Sequence, residues 1–233
     1  MKHEDVTVIF YTSNTVSDYF MGNVQRQLLK SVGETPIISV SFKPINFGEN
    51  ICVGDIGRSH YSIYKQILIA AKRAKTKYVA TAEDDVLYPV EHFMYRPSEN
   101  TIAYDLSKWS IFTWTQPPIF SFRTNRRTMT SCIAERDVLI RTLEERYAKY
   151  PVLEDIPQDI IKYYWGEPGR FEDHLEISKV KTETYFSTVP SIIFSTPEAL
   201  GFEHLGTRKA HGSVTKEVLP YWGTAQNVLK LYA

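Results

Sequence analysis

Lys77-Tyr78-Val79-Ala80-Thr81-Ala82-Glu83-Asp84-Asp85 is a short apolar run that stops on three adjacent acids. Tyr78 to Ala82 has the size and β-tendency of a central strand covered on both faces. An amphipathic helical run from Tyr61 to Lys75 precedes it, and Val86-Leu87-Tyr88-Pro89 follows. Charged carboxylates are expelled from a core, so the cluster should emerge at the carboxyl end of the strand, where open α/β sheets bind ligands. Adjacent acids repel one another unless a cation sits between them, which points to a divalent metal; the bland alternative is a loop that is merely acidic.

Toward the N-terminus, Val6 to Tyr11 reads as a first strand, β-branched and aromatic throughout. Thr12-Ser13-Asn14-Thr15 closes it with helix-capping residues. Val16, Phe20, Val24 and Leu28, with Tyr19 alongside, then mark an amphipathic helix ending near Gly33, and Pro36 to Ser41 a second strand. The chain therefore opens βαβ, the unit of a parallel sheet. Lys43 to His60 reads as a loop, and the helix after it is expected to bury Ile63, Tyr64, Ile67, Leu68 and Ala71. Beyond Pro89 the pieces become shorter and more aromatic: strands at Ile102 to Tyr104, Trp109 to Trp114 and Ile119 to Phe122, then a helix from Arg136 to Tyr150. Pro151 to Glu183 reads as acidic and irregular, Tyr185 to Phe194 as a last strand, and Val214 to Tyr232 as a partly helical tail. One domain is expected over 1–233, with a parallel half at 1–89 and a mixed half at 90–233 completing the site.

Formal net charge is zero, with 27 basic and 27 acidic residues, so any nucleic acid would have to be met by a local basic patch. Cys52 and Cys132 make neither a disulfide framework nor a metal spacing and read as free thiols of a reducing compartment. No apolar run approaches the ~20 residues that span a bilayer. The N-terminus has no apolar signal region. A cytoplasmic location is expected, without a membrane partner.

The order of these pieces (a βαβ start, a helix, a strand ending Glu83-x-Asp85 and a mixed second half) resembles the GT-A glycosyltransferases, which use nucleotide-sugar donors. The resemblance implies a Rossmann-type, mostly parallel central sheet flanked by helices, with a mixed C-terminal half. It also implies Mn2+ or Mg2+ on the donor diphosphate, most naturally that of a UDP-sugar, held by Asp85 with Glu83 or Asp84. The family carries Asp where this chain has Glu83. A late histidine would complete the metal site: His204, with His211 behind it. Thr12, Ser13 and Asn14 fall where such enzymes meet the nucleobase and ribose, and they also cap the first helix. Arg58 opens a helix after a glycine, a position suited to phosphate, and Asp55 is placed to accept from a ribose or base.

An inverting transfer also needs a carboxylate base. Glu172-Asp173 resembles the Glu-Asp pair of inverting family-2-type transferases, with Asp173 as base; Glu154, Asp155 and Asp159 compete. Two stretches are basic and free of acids: one carries Arg123, Arg126 and Arg127, the other Arg208, Lys209 and Lys216. Both suit phosphate-backbone contacts. The run from Gly57 to Tyr88 also resembles small viral glycosyltransferases, some of whose relatives are thought to act on hydroxymethylated pyrimidines in DNA. That makes an extrahelical hydroxymethyl base, stacked on Trp109 or Trp114, the leading acceptor. A surface glycan or a small molecule stands next, and a non-catalytic nucleic-acid-binding module behind it. A nucleotidylyltransferase would carry a Gly-rich basic loop after the first strand, and a haloacid-dehalogenase-type phosphatase an Asp-x-Asp at the end of that strand; the chain has neither.

Overall fold

The computed structural model describes residues 4–112, 116–164, 166–195 and 214–232. The expected opening is present. β1 (Val6–Thr12) is buried at every residue, as a β-branched and aromatic run must be when both faces are covered. α1 (Asp18–Val32) starts at Ser17, whose hydroxyl accepts from Phe20 N–H at 3.3 Å, and stops at Gly33 with φ 59°. Its inner face buries Phe20, Val24 and Leu28, whereas Tyr19 turns to solvent. β2 (Ile37–Ser41) pairs parallel with β1 on one side. β4 (Tyr78–Glu83) pairs parallel with it on the other, after α2 (His60–Arg73) has crossed over the sheet.

Between β2 and α2 the chain is not all loop. β3 (Glu49–Cys52) adds a further parallel edge strand. Its half-exposed polar sequence hides it from a periodicity argument. Gly48, with φ 61°, makes the approach: a Cβ there would lie 2.5 Å from the Ile37 carbonyl oxygen.

The second half completes this sheet and builds another. After β5 (Val86–Leu87) and the short α3 (Val90–Met94) come β6 (Thr101–Asp105), β7 (Lys108–Phe112), β8 (Phe120–Phe122) and β9 (Cys132–Glu135). β9 runs antiparallel between β4 and β6. It is a second element absent from the sequence reading, because four residues give no period. α4 (Arg136–Lys149) follows, then α5 (Gln158–Tyr164) and α6 (Glu172–Leu175) in the stretch expected to be irregular.

The expected last strand over Tyr185 to Phe194 is two strands in two sheets. β10 (Lys181–Tyr185) edges the first sheet beside β6, and β11 (Ser191–Ser195) lies in the second between β7 and β5. The chain changes sheet at Ser187, whose N–H and hydroxyl donate to the buried Asp105 carboxylate, and at Pro190, which has no N–H to give a ladder. β12 (Val214–Lys216) closes the second sheet against β8. The tail forms a hairpin of β13 (Val218–Leu219) and β14 (Gly223–Thr224), then α7 (Ala225–Tyr232) against α1. Val218 and Tyr221 of this tail are exposed.

The first sheet thus runs β10-β6-β9-β4-β1-β2-β3, antiparallel only at β9. A mostly parallel sheet flanked by helices, with a mixed C-terminal region, is the expected fold class.

One buried cation braces the second half. Arg146 of α4 is fully buried, donates to the carbonyls of Tyr164 (3.1 Å) and Gly166 (2.8 Å), and lies 3.8 Å from Glu172. The Tyr64 and Tyr164 rings face its guanidinium at 5.1 and 5.5 Å. Arg146→Met strands a buried carboxylate and two carbonyls, and should cost about 3–5 kcal/mol. Urea unfolding of the pair measures this; a loss below about 1 kcal/mol would mean that Glu172 and the loop find other partners.

Candidate functional site

The parallel register places Tyr11 beside Glu83 at the carboxyl edge of the sheet. β4 is buried to Ala82 and becomes half-buried at Glu83, Asp84 and Asp85, as charge demands. Glu83 Oε1 accepts from the Tyr11 hydroxyl and, at 2.9 Å, from Thr130. Tyr88 completes the frame, accepting from Glu83 N–H at 3.0 Å and donating to the Thr130 carbonyl at 2.7 Å. Burial and the Glu83 charge raise the Tyr11 and Tyr88 phenols well above their ordinary range, so both remain donors. Thr12 donates to Asp84 Oδ2 and accepts from Asn14 N–H at 2.8 Å. Asp85 is anchored by its carbonyl, which accepts from Phe194 N–H of β11 at 2.8 Å.

Tyr11, Thr12 and the three acids line a cavity of 490 Å³ together with Ser13, Thr15, Val16, Phe42 and the first turns of α2. Ser59 caps α2 reciprocally with Ser62, leaving Arg58 and His60 on the cavity wall. Burial pushes the His60 imidazole down against the opposing pull of Glu167 and Glu83. Burial, then the neighbouring Glu83, raises Asp84 to about 6, partly offset by the Thr12 hydrogen bond and by Arg58. The wall is therefore acidic at one end and cationic at the helix start, a surface suited to a charged ligand that carries or meets a cation.

Of the residues singled out in sequence, Thr12, Ser13, Arg58, Glu83, Asp84 and Asp85 come together here. Asn14 and Asp55 shape the rim instead. Asn14, at φ 54°, accepts from Lys43 N–H at 2.9 Å, and the exposed Asp55 accepts from Gly57 N–H at 2.9 Å. Arg126 donates to Ser110 at 3.1 Å and lies in the field of Glu83, Asp85 and Glu167. Its carbonyl accepts from the buried ammonium of Lys108, which also reaches the Asp105 carbonyl (2.8 Å) and Ser131 (2.9 Å). Burial and Arg126 lower Lys108 to about 7. Arg127 donates to Thr182 at 3.2 Å, and Arg123 is exposed. Trp109 is half-exposed on the second sheet, 5.2 Å from the Phe122 ring and 5.6 Å from Lys216 Nζ.

Glu172 and Asp173 lie elsewhere. Glu172 is buried, accepting from Gly169 N–H at 2.5 Å. Asp173 pairs with Lys179 at 3.0 Å, its side chain 73% exposed, on a second cavity of 260 Å³ that shares no lining residue with the first. The competing acids Glu154, Asp155 and Asp159 are exposed. His204, Arg208, Lys209 and His211, and Trp114, lie outside the described residues. Among the described residues no three His, Cys, Asp or Glu side chains gather as a ligand set. The oxygen donors of Glu83 to Asp85 suit a hard cation chemically, but the described residues do not complete its shell.

Three residues of this neighbourhood escaped the sequence reading. Gln66 and His60 sit mid-helix and at a helix start, where polar residues read as solvated. Glu167 stands on a loop whose carbonyls are held by Tyr64 and Arg146 at Gly166 and by Tyr104 at Pro168, and its charge reaches His60, Lys108 and Arg126. That order comes from contacts across the chain, which a local pattern does not carry.

No family model and no curated protein matches the chain. Solved structures with some likeness include CMP:2-keto-3-deoxy-manno-octonic acid synthetase complexed with CTP, at 10% identity and TM-score 0.46 over 87% of this chain and 100% of that one. A glycosyltransferase involved in the glycosylation of the major capsid of PBCV-1 gives 10% and 0.46 over 87% and 99%. The glycosyltransferase GlyE of Streptococcus pneumoniae TIGR4 gives 10% and 0.46 over 76% and 44%. At such values these likenesses carry no argument about chemistry.

An acid raised from 3.8 to about 6 binds its proton more tightly when folded. The stability this adds is complete below about pH 4 and is lost as pH rises toward 6. Asp84→Asn, which keeps an acceptor for Thr12 but no charge, should exceed the parent by about 1–3 kcal/mol at pH 7.5 and match it near pH 4. Thermal unfolding at the two pH values checks the crossover.

Proposed function

We propose that the chain is a glycosyltransferase that moves a sugar from a nucleotide-sugar donor to an acceptor hydroxyl. The observation that carries this reading is a cavity at the carboxyl edge of β4, β1 and β2 that gathers three carboxylates and Arg58 at the start of α2. A nucleoside diphosphate needs that pairing: cationic and N–H donors for its phosphates, and acids to share a divalent cation with them. Asp85, with Glu83 or Asp84, would hold Mn2+ or Mg2+, and His204 would complete the set. When bound, the cation would neutralise charge building on the departing diphosphate.

The chain's own residues divide the remaining work. Tyr11, Thr12 and Thr130 hold one oxygen each of Glu83 and Asp84, orienting both carboxylates before any ligand arrives. Arg58 meets a phosphate, and Arg126 adds a second positive charge from the opposite half of the chain. For the base that accepts the acceptor's proton, Glu167 is better supported than Asp173. It is half-buried on a braced loop, 3.6 Å from Arg170, and its charge reaches His60 of the cavity wall and Arg126, whereas Asp173 lines the other cavity.

The acceptor we favour is the hydroxymethyl group of a modified pyrimidine in DNA. Trp109, Phe122 and Lys216 form an aromatic face with a cation over it, which suits an unstacked base, and Arg123 supplies exposed positive charge. The same face would also stack a sugar ring, so a glycan acceptor is the outcome to separate.

Incubation with a panel of nucleotide sugars, Mn2+ and hydroxymethylated DNA, followed by mass spectrometry of digested nucleosides, tests both levels. A hexose or pentose mass on the modified base is expected. Transfer only to a glycan or small molecule would replace the acceptor, and cleavage of no nucleotide sugar would remove the reading. UDP-sugar binding by calorimetry should strengthen at least tenfold with Mn2+, and Asp85→Asn should abolish the gain; binding indifferent to both sinks the metal site.

DNA retention should fall steeply with salt and weaken by about one unit of salt slope per residue in Arg123→Ala plus Arg127→Ala. No retention at 50 mM salt, on the order of the lowest ionic strength in common use for such assays, would remove DNA as acceptor.

A further inference from the structure

The strand order makes a ruler of the sheet's carboxyl edge. β4 ends on the acids, its neighbour β1 ends on Thr12, and the next strand, β2, leads into Phe42. Adjacent strands lie about 4.8 Å apart, so Phe42 stands roughly 10 Å from the acids, the distance from a diphosphate to the base of its nucleoside. The cavity lining also holds the apolar side chains of Phe42, Val16 and Ile63.

Gln66 of α2 sits over the seam between β1 and β2. Its Nε2 donates to the carbonyls of Thr12 and Val40, both at 2.9 Å. An amide placed the other way would set its oxygen against two carbonyl oxygens, so the orientation is fixed by its partners. The side chain is 2% exposed yet lines the cavity. With both N–H groups engaged, Oε1 is the polar atom Gln66 has left for a ligand in the cavity it lines. That atom can only accept, so it pairs with a ligand donor and repels a ligand acceptor. Ser13 and Thr15 line the same cavity; one hydroxyl donates to the other at 3.3 Å, which leaves one O–H to offer a flanking carbonyl.

Resting on the nucleotide-sugar reading, we propose that Gln66 determines the donor's base: its Oε1 accepts the ring N3–H of a uracil-type pyrimidine at the Phe42 end of the cavity. Uracil presents one ring N–H between two carbonyls, complementary to one acceptor with one hydroxyl donor. Cytosine presents a lone pair at that ring position and meets Oε1 with like charge. A site built to pair one donor rejects the analogue that lacks it more strongly than any loss of contact area would.

Calorimetry with UDP, N3-methyl-UDP, CDP and GDP in the presence of Mn2+ tests this on the unmodified protein. UDP is expected to bind at least tenfold more tightly than each of the other three. In Gln66→Met, which loses the carbonyl, UDP and N3-methyl-UDP should converge to within about twofold, with thermal unfolding recorded beside the titration. Equal affinities for UDP and N3-methyl-UDP in the unmodified protein, or preference for CDP or GDP, would overturn the assignment and leave the nucleotide-sugar reading standing. A uniform loss in Gln66→Met with the discrimination kept would reduce Gln66 to a brace between β1 and β2. Binding of none of the four would overturn the reading itself, and the inference with it.

Discussion

Three consecutive carboxylates at the end of a buried strand are the constraint on which this molecule turns. β4 is buried through Ala82, and its acids have to emerge where the sheet stops. That requirement places them at the carboxyl edge, and the parallel register with β1 then delivers Tyr11 and Thr12 as their donors. The phenol and the hydroxyl are neutral, so they orient the acids without cancelling their charge. Burial first, and the neighbouring Glu83 charge after it, keep the cluster costly, as the raised Asp84 shows. The molecule retains an electrostatic demand that a cation or a proton can meet.

The protein meets part of that demand with its own cations: Arg58 at the start of α2, and two from the opposite half of the chain. Arg126 reaches the field of Glu83 and Asp85 because Lys108 grips its carbonyl and Ser110 accepts from its guanidinium. Lys108 is itself suspended between Asp105 and Ser131, at the ends of β6 and the start of β9. Its three acceptors call for three N–H groups, which only the ammonium supplies, so the geometry keeps it charged although burial lowers its pKa. The acidic edge and the basic loop are one electrostatic unit, assembled across the first sheet.

What the sequence disclosed follows from the range of each interaction. The βαβ opening, α2 and β4 were legible because period, caps and β-branching act within a few residues. Thr12, Ser13, Arg58 and the acids could be placed at one edge because parallel topology forces strand ends together. β9 was not legible: four residues carry no period, and its place between β4 and β6 is set by partners up to 57 positions away. Tyr185 to Phe194 looked continuous because composition cannot register a change of sheet, which here depends on Ser187 bonding Asp105. Gln66 was hidden for a similar reason. A glutamine inside a helix reads as solvated until the carbonyls of Thr12 and Val40 are found above it.

The same ranges bear on how the site comes into being. The acids belong to a local strand, yet each is fixed by a distant partner: Glu83 by Thr130, Asp85 by the backbone of Phe194, and the cationic rim by Lys108. A folded first half without the second would keep the Tyr11 and Thr12 bonds to Glu83 and Asp84, but lose the Thr130 bond to Glu83 and the Phe194 bond to the Asp85 carbonyl. Pre-organisation is therefore completed by the last long-range pairings, after β1 and α2 have supplied most of the cavity wall. If the proposed function holds, donor binding and sugar transfer would make different demands on the fold. Contacts to a base and ribose would draw on the early half, whereas holding a diphosphate against Glu83, Asp84 and Asp85 would need both.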